Sequence, residues 1–276
     1  MTRLGITGFR GVLGQSVHRC WPGAQCVGFE GDVRDSGALR NWVHSNELDG
    51  VLHFASIVPL ARVDADPLTA FDVNVRGTWQ LLDALRGRNV WTFVASSSHV
   101  YAPRQEPIGE EAPTLPSSLY GMTKLHAEQA AVAWAARFGM TVGIGRIFSF
   151  SGAGQAASYL LPSLVERIRQ APAGAHLPLR GSRNVRDFLT TRQVVAAVRH
   201  LFERRATGIY NIGTGVGTSV AGLAQATARR LGREDVMLMG DELEPANALV
   251  ADVAKLRASG CALEPALEEL IGDVAG

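Results

Sequence analysis

The sequence predicts an α/β fold, in which a doubly wound parallel sheet is followed by a smaller C-terminal substrate-binding lobe. Short apolar or β-branched runs alternate with longer helical patterns through the first 150 residues, which is typical of parallel strands covered by helices on both faces. A glycine-rich turn joins the first of these runs to the first helical pattern. After residue 150, stretches rich in Gly, Pro and Ala separate shorter elements, which favours a second lobe.

The elements of the first part of the chain follow from these patterns in order. Runs rich in apolar residues predict strands at residues 3–7, 25–30, 50–55, 90–96 and 141–148. Helical patterns between them predict helices at residues 11–19, 36–47, 67–88 and 118–138. Residues 1–150 are expected to form a nucleotide-binding domain, with later contributions from about 182–215, and residues 151–276 to form the smaller lobe.

Composition and charge exclude several classes of partner. The net charge is +1 and the basic residues are scattered, so neither nucleic acid nor an anionic membrane surface is an expected partner. Cys20, Cys26 and Cys261 have no paired spacing, so neither a disulfide framework nor a metal site is predicted. The first residues lack a signal-peptide pattern, and no apolar run of about 18 residues occurs. We therefore expect a cytoplasmic protein.

The turn after the first predicted strand carries glycines at every third position, Gly8, Gly11 and Gly14. In dinucleotide-binding turns, glycines permit a tight turn, a close approach of the backbone to the pyrophosphate, and close packing of helix on strand. The N-terminus of the helix then faces the phosphates. The predicted cofactor-binding residues of this turn are Thr7, Gly8, Phe9, Arg10, Gly11, Val12, Leu13 and Gly14.

Charged residues near the end of the second predicted strand bear on the choice of cofactor. Glu30 favours NAD, because an acid at this position accepts hydrogen bonds from the ribose hydroxyls. Arg10 and Arg34 favour NADP, because a guanidinium neutralises a 2′-phosphate. Asp32 and Val33 are predicted to lie near the adenosine half. The signals conflict, and the prediction is NAD(P)(H) with a lean toward NADP(H).

Tyr120 and Lys124 stand four positions apart in a predicted helix, where side chains at this spacing share a face. A cation beside a phenol favours the phenolate, which lowers the pKa of the tyrosine from about 10 toward neutrality. A phenol of this kind serves as a general acid or base. The pair therefore predicts proton-transfer chemistry.

A series of motifs in a fixed order runs through nearly the whole chain. The motifs are residues 7–14, 32–33, 51–55, 74–78, 96–101, Tyr120 with Lys124, Arg146, 186–188 and 210–215. With this series the chain resembles the extended short-chain dehydrogenase/reductase family, specifically the NAD-dependent epimerase/dehydratase branch that acts on nucleotide-linked sugars. The resemblance implies a Rossmann fold in which residues 51–55 lie on the fourth strand.

The resemblance also implies roles for individual residues. Tyr120 would be the catalytic acid/base, Lys124 would hold the nicotinamide ribose and lower the pKa of Tyr120, and Ser97 would hydrogen-bond the reacting oxygen, with Ser98 as the neighbouring candidate. Cofactor contacts are implied for Tyr120, Lys124, Phe54, Ala55, Ser56, Asn74, Ala95 and Ile147, with Asn74 also ordering the strand around the site. Substrate contacts are implied for Ser97, Ser98, His99, Ser149 and Arg186.

Alternatives stay open for several of these positions. His99 also fits a structural role, and Arg186 also fits a surface ion pair with Asp187. Arg146, like Arg186, is expected to reach a substrate diphosphate. His53 is expected to be a satisfied core or pocket-lining histidine rather than a catalytic one.

Departures from the family pattern narrow the expected reaction. Ser98 and His99 stand where dehydratases carry an Asp-Glu pair, which argues against a 4,6-dehydratase. Residues 149–154 read Ser-Phe-Ser-Gly-Ala-Gly and lack the asparagine that commonly helps to hold the nucleotide diphosphate. Only about seventeen residues separate Gly14 from Asp32, so one strand–helix unit is expected to be abbreviated, as in the shorter 4-ketoreductases of deoxysugar pathways.

Three functions are therefore open. The first is reduction of a nucleotide-linked 4-keto-6-deoxysugar, the second is 4-epimerisation with tightly held NAD, and the third is a non-catalytic cofactor-binding scaffold or redox sensor. Retention of the Tyr-Lys pair argues against the third. The resemblance also implies a homodimer through the helices near 67–88 and 118–138; the alternative for the alanines of the second helix is packing against the sheet of their own subunit.

Overall fold

The computed structural model describes residues 1–240 and 246–276. Its strands are β1 (Thr2–Thr7), β2 (Ala24–Phe29), β3 (Gly50–His53), β4 (Trp91–Ser97), β5 (Val142–Ile147), β6 (Ser149–Ser151), β7 (His176–Leu179), β8 (Val185–Thr190), β9 (Gly208–Ile212), β10 (Gly217–Ser219), β11 (Met237–Gly240) and β12 (Ala248–Leu249). Its helices are α1 (Val12–Cys20), α2 (Ser36–His44), α3 (Leu60–Ala65), α4 (Pro67–Phe71), α5 (Gly77–Leu85), α6 (Leu119–Phe138), α7 (Leu160–Gln170), α8 (Thr191–Glu203), α9 (Val220–Arg230), α10 (Ala254–Ala258) and α11 (Leu267–Ala275). A π-helical turn (Asp72–Arg76) joins α4 to α5, and a 3₁₀ turn (Ser98–Val100) follows β4.

The chain divides into two units. The first consists of Met1–Ala102, Glu110–Ile147 and Val194–Ile212. The second consists of Pro103–Gly109, Phe148–Gln193 and Gly213–Gly276. Each unit has its own sheet and its own buried apolar cluster.

A six-stranded parallel sheet in the order β2-β1-β3-β4-β5-β9 forms the centre of the first unit. This confirms the predicted α/β fold with a parallel Rossmann-type sheet. Residues 51–55, expected on a fourth strand, begin in the third strand instead, because only β2 lies between β1 and β3 in the sequence. The strand order changes direction between β1 and β3, and open sheets of this kind bind ligands outside the carboxyl ends of the strands at such a point.

Helices cover both faces of this sheet. On one face α2 and α5 pack on β2 and β3 through Leu39, Val43, Leu81 and Leu85, all of which are buried. On the other face the rings of Trp21 after α1 and Trp91 of β4 meet Phe202 of α8, with centroids 5.4 and 5.6 Å apart. The sheet is therefore buried on both sides, as its near-continuous apolar strands require.

The helices that flank the site differ from their predicted bounds for local reasons. The predicted helix at 67–88 is α4, the π-helical turn and α5, and it ends at Leu85. The predicted helix at 118–138 is α6, in which the Ser118 hydroxyl accepts a hydrogen bond from the Gly121 amide at 3.1 Å. Gly139, with φ at +63°, ends α6 in a left-handed conformation that glycine adopts readily.

The second unit contains a mixed sheet and a separate pair of strands. Strand β8 pairs with β10 (antiparallel), with β12 and with β6 (both parallel), while β7 pairs with β11. Its apolar core is formed by α7, α9 and α11. Within residues 1–240 and 246–276, no helix is both long and apolar enough to cross a bilayer.

Candidate active site

The glycine turn has the geometry that a bound pyrophosphate requires. Gly8 has φ at +71°, and a Cβ on this residue would lie 2.6 Å from the amide nitrogen of Ala55. A Cβ on Gly14 would lie 2.6 Å from the carbonyl oxygens of Gly8 and Phe9. No side chain caps the N-terminus of α1, which starts after Gly11. The first-turn amides are thus left for an anionic ligand, and the turn fits the diphosphate of a dinucleotide.

A pocket of about 270 Å³ lies beside this turn. Its lining consists of Gly8, Phe9, Arg10, Phe29, Glu30, Gly31, Asp32, Val33 and Ala55. These include the residues that the sequence assigns to the adenosine half of the cofactor. The pocket therefore brings together the end of β1, the end of β2 and the residue after Phe54.

Both arginines that bear on the choice of cofactor are paired with acids at this pocket. The Arg34 guanidinium donates to both oxygens of Asp32, at 3.0 and 2.6 Å, and this hydrogen bonding holds the pKa of Asp32 below its ordinary value. Arg10 lies 3.7 Å from Glu30, and both side chains are about three-quarters exposed. Exposed pairs of this kind are weak and exchange partners readily, so a phosphate placed here competes for both guanidinium groups.

The predicted catalytic residues converge at the end of β4 and the start of α6. Ser97 is the last residue of β4, and its hydroxyl accepts a hydrogen bond from the His99 amide at 3.2 Å. Tyr120 lies in the first turn of α6, where its ring meets the His99 imidazole edge to face with centroids 5.7 Å apart. The Lys124 ammonium lies 5.9 Å from the centroid of the Tyr120 ring. Ser98, the neighbouring candidate, is buried.

Gly121 explains why α6 approaches β4 so closely. A Cβ on this residue would collide with the carbonyl oxygen of His99 and lie 2.9 Å from Cβ of Pro116. Only glycine therefore lets the first turn of α6 rest on the segment that follows Ser97. Since Tyr120 is the preceding residue, this contact fixes the distance between the phenol and the serine.

Lys124 is a buried cation held by the sheet. Its ammonium donates to the carbonyl oxygen of Ala95 at 3.0 Å, and the residue is 7% exposed. Burial lowers its pKa to about 8, against the opposing charge of Glu128. Lys124 is therefore still mostly protonated at neutral pH, but close to its titration range.

A buried ion pair next to Lys124 was not foreseen from the sequence. Glu128 lies one helical turn after Lys124 and accepts from the Arg146 guanidinium at 2.8 and 3.0 Å and from the Ser96 hydroxyl. Arg146 also donates to the hydroxyl of Tyr101 at 2.7 Å. The expectation that Arg146 reaches a substrate diphosphate is thus not supported, because these internal partners occupy its guanidinium. The spacing of Glu128 from Lys124 was the available sequence signal.

The segment after β3 is tied to the π-helical turn by Asn74. The Asn74 side-chain oxygen accepts from the Ile57 amide at 2.6 Å and from the Ser56 hydroxyl at 3.0 Å. The side-chain amide of Asn74 is thus bonded within the protein, and its contact with the cofactor stays a prediction. Of the other residues assigned to the cofactor, Phe54 packs its ring on Phe93 with centroids 6.0 Å apart, and Ile147 is buried at the end of β5.

The residues assigned to substrate in the second unit lie on adjacent strands. Ser149 begins β6, next to Phe188 of β8. Arg186 of β8 is half-buried and donates to the carbonyl oxygens of Val185 and Asn247, at 2.8 and 3.2 Å. Burial lowers the pKa of Arg186, and no carboxylate among the described residues pairs with it.

Asp187 is turned away from Arg186. It is fully buried and accepts hydrogen bonds from the amide and hydroxyl of Thr214, at 2.9 and 2.7 Å, and from the amide of Gly215 at 2.9 Å. The alternative of a surface ion pair between Arg186 and Asp187 is therefore wrong. Among the described residues, the hydrogen-bond partners of the Arg186 guanidinium are the two main-chain carbonyl oxygens of Val185 and Asn247.

A parallel sheet with a glycine turn after β1, and a serine, tyrosine and lysine grouped at the end of β4, define a dinucleotide-binding protein of the short-chain dehydrogenase/reductase type. The model of the NAD dependent epimerase/dehydratase family matches residues 5–213. The chain belongs to that family.

The chain is also similar to individual proteins of known function and to solved structures. The chain is 30% identical to UDP-glucose 4-epimerase 2 of Oryza sativa subsp. japonica over 239 residues, which is 76% of this chain and 57% of that protein. It is 29% identical to GDP-6-deoxy-D-mannose reductase of Pseudomonas aeruginosa over 218 residues, which is 76% of this chain and 68% of that protein. The solved structure of RMD from Pseudomonas aeruginosa complexed with NADPH has the same fold, with a TM-score of 0.89, 23% identity, and coverage of 100% of this chain and 98% of that one.

Proposed function

We propose that this chain is an NAD(P)-dependent oxidoreductase that acts on a nucleotide-linked sugar, and that it reduces the keto group of a 4-keto-6-deoxyhexose. The observation that carries the proposal is the convergence of Ser97, Tyr120 and Lys124 at the end of β4. The likeness to a GDP-6-deoxy-D-mannose reductase supports reduction as the reaction. In this direction the ketone gains a hydride at carbon and a proton at oxygen, and the product is an alcohol.

The reduced nicotinamide, when bound, supplies the hydride. Tyr120 gives its phenolic proton to the carbonyl oxygen as negative charge develops there. The Ser97 hydroxyl donates a hydrogen bond to the same oxygen, which stabilises the developing alkoxide. Proton loss from Tyr120 is assisted by the ammonium of Lys124, since a nearby cation favours the phenolate.

We further propose NADP(H) as the preferred cofactor. Arg10 lines the pocket beside the glycine turn and pairs with Glu30, whereas Arg34 reaches this pocket only through its pairing with Asp32, which lines it. A 2′-phosphate bound between them would replace weak carboxylate contacts with charge-assisted hydrogen bonds. Comparing kcat/KM for NADPH and NADH tests this choice, and a preference for NADH would contradict it.

Arg186 is the proposed contact for the diphosphate of the substrate. A half-buried guanidinium without a carboxylate partner among the described residues is suited to an anion, which it can bind in a bidentate manner. Ser98, His99 and Ser149 are proposed as further substrate contacts. Arg186→Lys should raise KM for the sugar nucleotide more than it lowers kcat, because a lysine cannot reproduce two parallel hydrogen bonds.

A 4-epimerase is the second candidate, favoured by the likeness to a UDP-glucose 4-epimerase. An epimerase removes a hydride and returns it to the other face, so its nucleotide stays bound between turnovers. A reductase must exchange its nucleotide in every turnover. Denaturing the purified protein and assaying the released nucleotide separates the two: one equivalent of retained NAD would exclude the reductase, whereas a protein without retained nucleotide that consumes NADPH with a 4-keto sugar would exclude the epimerase.

The role of Tyr120 is tested by Tyr120→Phe. The variant keeps the ring contact with His99 but has no proton to give, so kcat should fall by a factor of about 100 or more. Binding of the cofactor should stay nearly unchanged. Full activity in this variant would refute the assignment of Tyr120, and the scaffold function would gain support if the wild-type protein bound the cofactor without turnover.

We also propose a homodimer through α4, α5 and α6. Large apolar side chains are exposed along these helices, namely Leu68, Phe71, Trp79, Met122, Val132 and Phe138. We call this set the apolar face. On α6, Ala127 and Ala131 are buried within their own unit, whereas Ala133 and Ala136 are exposed and would permit close approach of a second helix. None of the three cysteines forms a disulfide within the described residues, and the cytoplasm, where thiols stay reduced, is the proposed location.

A further inference from the structure

A chain of buried hydrogen bonds connects the glycine turn with the helix that carries Tyr120. Its centre is His53, the last residue of β3, which is 3% exposed. The Nδ1 atom of His53 lies 2.7 Å from the hydroxyl of Thr7, and the Nε2 atom lies 2.9 Å from the hydroxyl of Thr78. Both ring nitrogens are therefore used, one toward strand β1 and the other toward helix α5.

The direction of each hydrogen bond follows from the proton count. The Thr78 hydroxyl donates its only proton to the main-chain carbonyl of Asn74 at 2.7 Å, so it can only accept from His53. The Nε2 atom must carry the ring proton. Burial, together with the charge of Lys124, lowers the pKa of His53 to about 3, so the ring is neutral and its bare Nδ1 accepts from Thr7.

At one end, this series of hydrogen bonds fixes Thr7, the residue that starts the glycine turn. Thr7 is fully buried, and its hydroxyl proton is directed to His53. The main-chain carbonyl of Thr7 accepts from the Phe54 amide at 3.1 Å. Thr7 therefore ties the end of β1 to the end of β3, immediately before Gly8, whose backbone lies against Ala55.

At the other end, the series of hydrogen bonds reaches α6, the helix that carries Tyr120. The side-chain amide of Asn74 donates to the Thr123 hydroxyl at 3.0 Å, and this hydroxyl donates to the carbonyl oxygen of Tyr120 at 2.8 Å. Thr78, Asn74 and Thr123 are each at most 6% exposed. Water is therefore a poor substitute for a lost partner, and an unpaired group in this chain carries the full cost of its desolvation.

We propose that His53 is a positioning residue for the reaction proposed above, on which this inference rests. Its Nδ1 fixes Thr7 at the cofactor turn, and its Nε2–H fixes the first turn of α6, and so Tyr120, through Thr78 and Asn74. The two nitrogens thus have separate tasks: one serves the binding of the dinucleotide and the other serves the placement of the phenol. A histidine that only fills the core would not divide its effects in this way.

Two amide variants separate the tasks. In His53→Asn the short side chain places an acceptor near the Nδ1 position, whereas in His53→Gln the longer one places a donor near the Nε2 position. We expect His53→Asn to keep the dissociation constant of NADPH and to lower kcat about tenfold, the factor that corresponds to about 1.4 kcal/mol. His53→Gln should do the reverse, with a dissociation constant about tenfold higher and kcat at saturating cofactor nearly unchanged.

The dissociation constants are measured by NADPH fluorescence, which needs no sugar substrate. Thr92→Val is the matched control, because Thr92 is a buried threonine of the neighbouring strand β4 whose hydroxyl has no partner among the described residues. It should change neither constant. If the His53 variants do not fold, Thr78→Val and Thr78→Ser replace them: the valine should lower kcat about tenfold and the serine should restore it.

Equal changes of both constants in the two His53 variants would overturn the inference, and so would a Thr78→Ser that behaves like Thr78→Val. In either case a wild-type protein that binds NADPH and turns over leaves the proposed function intact. A wild-type protein that binds neither NADPH nor NADH would instead overturn the proposed function, and this inference with it.

Discussion

The positive charge of Lys124 is disfavoured by burial, but it is needed for the role proposed for this residue, which is to assist proton loss from Tyr120. The ammonium is buried beneath β4, with the Ala95 carbonyl as its hydrogen-bond acceptor and Glu128 as the nearest opposing charge. Burial lowers its pKa from 10.5 to about 8. The charged form of Lys124 therefore lowers the stability of the folded protein, and this cost can be measured from the pH dependence of the free energy of unfolding.

Replacing Lys124 should change how stability depends on pH. The native pKa of about 8 lies below the unfolded value of 10.5, so between these pH values the unfolded chain binds more protons, and stability of the wild type rises with pH over this window. Lys124→Met removes the group. Relative to the variant, the wild type should gain up to about 3 kcal/mol in the free energy of unfolding between pH 8 and 10.5.

Urea unfolding at a series of pH values measures this difference. Lys255→Met, which replaces the only other lysine of the chain, an exposed one, is the control for the loss of a lysine as such. A constant difference between the wild type and Lys124→Met across the window would contradict the assigned burial. In the wild type, kcat should also fall as pH rises through about 8, because the Lys124 cation is lost there.

The candidate catalytic residues are easier to recognise in the sequence than the residues that hold them in place. Tyr120 and Lys124 are recognisable because helix geometry alone brings positions four apart together. Glu128 obeys the same spacing, but its significance depends on Arg146 of β5 and Ser96 of β4, and no local pattern tells which strand residues face a given helix. The same limit hid the connection from Thr7 through His53 to Thr78, which joins residues 46 and 25 positions apart.

At the level of elements, the first turn of α6 is the part most sensitive to a single methyl group. Gly121→Ala places a Cβ against the main-chain carbonyl of His99 and near Pro116. The helix must then shift away from the end of β4, at a cost of about 1–3 kcal/mol in stability. Because Tyr120 moves with it, kcat should fall while the dissociation constant of NADPH stays nearly the same.

Gly272→Ala is the matched control for this change. Gly272 lies inside α11, where the one atom within 4 Å of a new Cβ, among the described residues, is a guanidinium nitrogen of Arg230 at 3.8 Å. Alanine is the better helix former, so this variant should be as stable as the wild type or more stable. Stability by thermal unfolding and kcat by NADPH consumption are measured on both. A Gly121→Ala variant with unchanged kcat would show that the close contact at His99 does not set the position of Tyr120.

The order of elements was predictable because alternation of apolar strands with helices leaves few ways to build a sheet. The π-helical turn at Asp72–Arg76 was not, because the pattern of apolar residues across it stays helical. The π-helical turn is explained by tertiary contacts, because the Asn74 side chain forms hydrogen bonds with the main chain of Ile57 and with Thr123 of α6. Such turns within a helix are frequent at functional sites, and this one joins the segment after β3 to α6, which carries the proposed acid/base Tyr120.

At the scale of the whole molecule, the apolar face on α4, α5 and α6 bears on the association of chains. Its aromatic members are in contact with neighbouring helices: Phe71 packs on His126, and Trp79 packs on Trp134, with ring centroids 6.2 and 5.1 Å apart. The indole nitrogen of Trp134 is buried without a hydrogen-bond partner among the described residues. Exposed apolar side chains grouped on neighbouring helices are unusual on a protein that stays monomeric.

Charge placed on this face should therefore separate the proposed dimer. The wild type should sediment with twice the mass of 29.5 kDa that one chain has, whereas Phe71→Glu combined with Val132→Glu should sediment as a monomer, because a buried carboxylate without a partner opposes association. Val216→Glu, at a comparably exposed apolar residue of the second unit, is the control and should leave the mass unchanged. A wild type that sediments as a monomer at micromolar concentration would refute the dimer. If the double variant is monomeric but retains the NADPH affinity of the wild type, the glycine turn and its pocket are complete within one chain.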